Sequence, residues 1–71
     1  MENLKIRVNS ANESKEAQEL FFKLGGNWGG GGCDIKYTNE PYLYLENGFV
    51  LHGSLAETFN AEQHKEITLP E

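Results

Sequence analysis

Residues 42–53 read YLYLENGFVLHG, and the way this stretch folds back on itself decides the architecture. Two apolar-rich runs meet at Asn47-Gly48, a dipeptide that accepts the positive φ angles of a tight hairpin turn. Two registers are open to it. A two-residue Asn-Gly turn pairs Leu45 with Val50 and puts Phe49 and Leu51 on the face of Tyr42 and Tyr44. A three-residue turn over Glu46, Asn47 and Gly48, closed by a glycine bulge, pairs Leu45 with Phe49 instead. That register turns Leu43, Leu45, Phe49 and Leu51 inward and Tyr42, Tyr44, Val50 and His52 outward. The second is preferred, because it separates aliphatic from amphipathic side chains.

Upstream, Leu4, Ile6 and Val8 alternate with Lys5 and Arg7, the period-2 pattern of a half-buried strand. Ser10-Ala11-Asn12-Glu13 is a capping-box pattern, followed by Ala17, Leu20, Phe21 and Leu24 on one helical stripe. Gly25 is placed to end that helix as its C′ residue. Cys33 to Tyr37 suits a short extended piece. Ser54 with Glu57 is a second capping pattern, and Leu55 and Phe59 share a face one turn apart. Glu66 to Leu69 closes the chain as a strand stopped by Pro70. The expected fold is a small α+β domain of order β-α-β-β-α-β, spanning residues 1–71. It has one sheet of about four strands, with the main helix (about 13–24) and the short second helix packed on one face.

Composition narrows the function. Seventy-one residues hold one domain, and a chain this short buries only about 60% of the surface its unfolded form exposes. One cysteine, Cys33, rules out an intrachain disulfide and the usual structural zinc site. No apolar run approaches a membrane span, and MENLKIRV is not a signal-peptide pattern, so a cytosolic protein is expected. The net charge of −5 argues against generic nucleic-acid binding. His52 and His64 form no metal-ligand spacing. No acid–base pair or nucleophile triad is evident, so neither an enzyme, a metal nor a cofactor is expected.

Two candidate sites remain. Residues 25–32 read GGNWGGGG, six glycines around Trp28. The run follows a helix rather than opening one, and has neither GK[ST] nor the strand and acidic residue of a dinucleotide fingerprint. Its glycines serve either as a structural or flexible connection or as a nest of amides. Trp28 is either a core or lid residue or a stacking surface, where a base contributes about 1–3 kcal/mol. The second candidate is the outer sheet face, where Lys5, Arg7, Tyr42, Tyr44 and His52 would make an aromatic and basic surface. The same face also suits an interface between copies of the chain.

Taken together, K-I-R-V, S-K-E-A-Q-E-L-F-F-K-L-G, N-W-G, P-Y-L-Y-L-E-N-G-F-V and K-E-I-T-L resemble a group of small bacteriophage accessory proteins. The resemblance spans nearly the whole chain and is carried by Leu24, Gly25, Trp28, Tyr42, Leu43, Tyr44, Gly48, Phe59, Ile67 and Leu69. It departs at the four glycines after Trp28. It implies a phage origin and an accessory, host-facing role in the cytoplasm of the infected bacterium, without implying a chemistry. The leading expectation is a non-enzymatic counter-defence protein, a homo-oligomeric sponge for a small nucleotide signal such as a cyclic oligonucleotide or a product of NAD cleavage. Trp28, Tyr42 and Tyr44 would stack bases, while Arg7, Lys36 and the amides of Gly29, Gly30, Gly31 and Gly32 would hold phosphate. The alternatives are an acidic inhibitor of a basic host enzyme, acting through Glu13, Glu16, Glu19, Glu57 and Glu62, and a minor structural or assembly component of the phage.

Overall fold

The computed structural model describes residues 3–30, 32–61 and 63–69; Gly31 and Glu62 of the expected sites lie outside them. The elements run β1 (Leu4–Arg7), α1 (Ala11–Lys23), β2 (Tyr42–Glu46), β3 (Phe49–Gly53), α2 (Ala56–Ala61) and β4 (Lys65–Ile67). This is the expected α+β order. The sheet is mixed, β3-β2-β1-β4, with β1 antiparallel to β2 and parallel to β4.

Helix α1 starts where its capping box dictates. The Ser10 side-chain oxygen accepts from the Glu13 amide at 3.1 Å, and Glu13 reaches back to the Asn9 amide at 3.0 Å. Its other end is a Schellman turn. Gly25 N–H donates to Phe22 O and Gly26 N–H to Phe21 O, with Gly25 at φ 95°. The buried stripe is Ser14, Ala17, Gln18 and Phe21, one column round from the expected one, and Leu24 is exposed.

The hairpin takes the two-residue register, not the three-residue one. Leu45 pairs with Val50 and Glu46 with Phe49, while Asn47 (φ 52°) and Gly48 (φ 87°) carry the two positive angles of a type I′ turn. Turn chemistry therefore outweighs the separation of aliphatic from amphipathic side chains. Val50 and His52 move to the face of Leu43 and Leu45, and Phe49 and Leu51 join Tyr42 and Tyr44.

The second correction concerns α2. It does not share a face with α1. Leu4, Ile6, Leu43, Leu45 and Val50 pack against Ala17 and Phe21 of α1. Phe59 of α2 stacks on Tyr42 at 4.6 Å between centroids, close to Tyr44, on the opposite side of the sheet. The physical reason is Lys5. Its ammonium donates to the Phe59 carbonyl at 2.6 Å and sits 4.6 Å from the Phe59 ring centroid. A cation on a carbonyl in the last turn of a helix is favourable, and so is a cation over an aromatic ring. The alternating Lys5 and Arg7, read as an outward basic surface, are thus the bed of α2, with Arg7 5.2 Å from the same ring. Leu55, expected beside Phe59, is exposed, and β4 is shorter than expected.

One glycine is required by packing. A Cβ at Gly26 would lie 2.6 Å from Leu45 Cδ1 and 2.9 Å from the Phe21 carbonyl oxygen, whereas at Gly29, Gly30 or Gly32 it would meet nothing within 4 Å. Overpacking of this kind costs about 1–3 kcal/mol. Gly26→Ala is expected to lower unfolding free energy by that amount in urea titration. Gly29→Ala is expected to be neutral or to add about 0.4–1 kcal/mol, by narrowing the unfolded ensemble.

Candidate ligand cleft

The chain leaving α1 crosses the open edge of the sheet before its loop begins. Asn27 N–H donates to Gly48 O, and Asn27 O accepts from Val50 N–H at 2.8 Å, so the loop is stitched to β3. Trp28 then drops into the core at 6% exposure, with its indole N–H on the Asp34 carbonyl at 2.8 Å. Of its two readings, the buried one describes its position: the ring is a floor, not an open platform.

The far limb of the loop is held by α1. Gln18, fully buried, grips the backbone of Lys36 from both sides: Lys36 N–H donates to Oε1 at 2.9 Å and Nε2 donates to Lys36 O at 2.6 Å. Ser14 Oγ accepts a further bond from Nε2 at 3.0 Å, fixing the amide's orientation. The next residue, Tyr37, is thereby set at φ 54°, a region costly for a bulky side chain. The Tyr37–Glu40 turn supports it through Glu40 N–H on Tyr37 O.

This backbone delivers the Tyr37 ring onto His52. The two rings stack at 3.8 Å, and Trp28 meets Tyr37 edge-on at 5.3 Å. His52 Nδ1 lies 3.1 Å from Glu40 Oε1, so Glu40 orients the imidazole. Around these rings is an open cleft of about 480 Å³, its walls including Gly29, Gly30, Lys36 and Val50. Lys36 is exposed and forms no ion pair among the described residues. The arrangement offers planar aromatic surface, one uncompensated cation and glycine backbone that a ligand can approach closely.

Of the expected site residues, Trp28, Gly29, Gly30 and Lys36 come together here. Gly32 accepts the Trp28 amide through its carbonyl and is not part of the cleft wall. Arg7, Tyr42 and Tyr44 do not join them. They occupy the opposite face of the sheet around Phe59, because Arg7 pairs with Tyr42 and Lys5 with Tyr44 in the β1–β2 ladder. The single aromatic and basic surface is therefore two separate places. Tyr37 was not among the expected site residues, and His52, expected on the outer face with Tyr42 and Tyr44, stands in this cleft instead. No local pattern marks Tyr37, whereas His52 follows directly from the type I′ register.

A smaller cleft of about 200 Å³ lies on the α2 side of β3, among Tyr44, Glu46, Leu51, Thr58 and His64. His64 Nε2 is 3.1 Å from Glu46 Oε1 there. Among the described residues no cluster of His, Cys, Asp or Glu could hold a metal ion, and no helix is long and apolar enough to cross a membrane. No family model, curated protein or solved structure matches this chain.

Gln18 makes the cleft testable. Gln18→Leu keeps the bulk but removes both side-chain bonds to the partly buried Lys36 backbone, at a cost of about 1 kcal/mol for each bond lost. Its expected signature is lower thermal stability together with loss of the ring-current shifts between Tyr37 and His52 in proton NMR.

Proposed function

We propose that this chain is a non-enzymatic binding protein that captures a small nucleotide in the cleft beside Tyr37 and His52. The observation that carries this reading is a strained tyrosine held by a buried clamp so that its ring stacks on an oriented histidine, next to a free lysine. Strain of about 1–3 kcal/mol at an aromatic that stays half-exposed is the kind of feature found at ligand clamps. A base fits the stacked rings, and Lys36 with the Gly29 and Gly30 backbone fits a phosphate. The volume lies within the roughly 300–1,000 Å³ of small-molecule sites. With the resemblance to phage accessory proteins, the ligand class is a nucleotide immune signal of the host, sequestered in the cytoplasm of the infected cell.

A second reading, an acidic inhibitor of a basic host enzyme, is favoured by the exposure of Glu16 and Glu19 along α1 and of Glu57 on α2. Salt separates the two by degree, since an interface of many rim charges weakens steeply with ionic strength, whereas stacked rings with one lysine contact weaken less.

The deciding experiment measures melting temperature with cyclic di- and trinucleotides and ADP-ribose-type compounds, beside a buffer control. A ligand of the folded state adds about 2.7 kcal/mol at a hundredfold over its dissociation constant. One compound class is expected to raise the melting temperature and quench Trp28, with Lys36→Gln weakening the response about tenfold, or 1.4 kcal/mol. A flat panel overturns the nucleotide reading.

A further inference from the structure

Strand β3 is an edge of the sheet, and its hydrogen-bonding side is only half covered. In an antiparallel ladder the residues of alternate pairs direct both N–H and C=O away from the partner strand. Val50 N–H donates to Asn27 O, so Val50 and His52 are the outward-facing residues of β3. Asn27 takes the Gly48 carbonyl and the Val50 amide. Among the described residues nothing takes the Val50 carbonyl or the amide and carbonyl of His52. An exposed edge of this kind is a template for another strand unless charge, proline or a covering loop blunts it. Here the loop stops one residue pair short.

The same edge is flanked by a cleft on each sheet face, and Leu51 and His52 line both. Successive side chains of a strand point to opposite faces. A strand added at β3 would therefore send alternate side chains to the two clefts. The geometry points to β3 as a docking edge for an extended segment of a basic partner protein, paired antiparallel through the amide and carbonyl of His52 and the carbonyl of Val50. The residue bonded to the His52 amide and carbonyl would lay its side chain on the Tyr37 side, which is aromatic and suits an aliphatic or aromatic group. Its two neighbours would lie on the α2 side, over the exposed Leu51 and beside the Glu46 carboxylate. Lysine or arginine fits there, with an apolar stem on Leu51 and a cationic head on Glu46. Charge selects this occupant over a second copy, because two chains of net charge −5 would bring like-charged surfaces together.

This inference rests on the strand edge and not on the nucleotide reading, and the test keeps them apart. The probe is a synthetic capped heptapeptide alternating lysine with valine and tyrosine, with a glutamate-for-lysine version as control. Binding is followed by Trp28 fluorescence and by hydrogen exchange of the His52 amide, with sedimentation reporting oligomeric state. Expected are saturable binding of the lysine peptide, protection of the His52 amide, and at least about tenfold weaker binding of the glutamate peptide. His52→Pro removes the outward amide without breaking a ladder bond and is expected to weaken peptide binding about tenfold or more. His52→Ala keeps that amide and is expected to weaken it less than about threefold, while removing the ring that a nucleotide would stack on. Loss of nucleotide but not peptide binding in His52→Ala separates the two sites. No binding of the lysine peptide, equal binding of both peptides, or an unprotected His52 amide on the bound wild-type chain overturns the inference. A dimer that His52→Pro converts to monomer overturns it too, by giving the edge to a second copy. Should the proline variant fail to fold, amide protection in the wild-type chain decides alone.

Discussion

The Asn47-Gly48 turn is the constraint on which the rest of this small domain depends. Strand side chains alternate with period two, so a one-residue change in the hairpin loop would exchange the two faces of β3. With both turn residues at positive φ, Val50 becomes core and His52 arrives on the side of Trp28. Without that register there is no imidazole beneath Tyr37, and the Asn27 bridge meets the wrong residues. The turn's first amide is itself satisfied by the Asn3 side chain at 3.0 Å, which ties the hairpin to the start of β1.

A chain of this length has too little apolar surface for one deep core, and it answers by using both faces of the sheet. One face is conventional, with Phe21 and Ala17 of α1 on Ile6, Leu43 and Leu45. The other is built from side chains that read as polar. Lys5, at 7% exposure, places its stem in the interior and its ammonium on a helix-end carbonyl, and Tyr42 and Tyr44 supply rings for Phe59. That second layer is why a face expected to seek another subunit is already covered, over its centre, by the chain's own α2.

What was legible in the sequence was what local chemistry determines: the capping box at Ser10, the Schellman glycine at Gly25, the order of the elements and the mixed class of the fold. These depend on a few neighbouring residues with one low-energy answer. The failures were of a different kind. Choosing the hairpin register required weighing turn geometry against the appearance of two faces, and a lysine-arginine alternation looks the same whether it faces water or holds a helix. The candidate site was half legible for the same reason. Trp28, Lys36 and the glycines announce themselves, whereas Tyr37 becomes part of the cleft only through a buried glutamine 19 positions before it. Ser14 and Gln18, four apart on α1, were the available trace of that clamp. Standing outside the expected apolar stripe, they carried no message.

The glycines of the loop now divide by physical role, and the division bears on function. Gly25 is needed for its left-handed angle and Gly26 for the closeness of Leu45 and Phe21. Gly29, Gly30 and Gly32 have backbone angles open to any residue and space where a side chain would stand. Each still carries the entropy cost of ordering glycine, roughly 0.5–1 kcal/mol relative to alanine in regular structure. Gly32 has an internal use, its carbonyl taking the Trp28 amide, whereas Gly29 and Gly30, which line the cleft with the strained tyrosine, add no packing of their own. Bare backbone beside Tyr37 and Lys36 is what the proposed ligand would use. A phosphate held by main-chain amides needs a close approach of this kind, which glycine leaves open and which Gly29 and Gly30 offer beside Lys36.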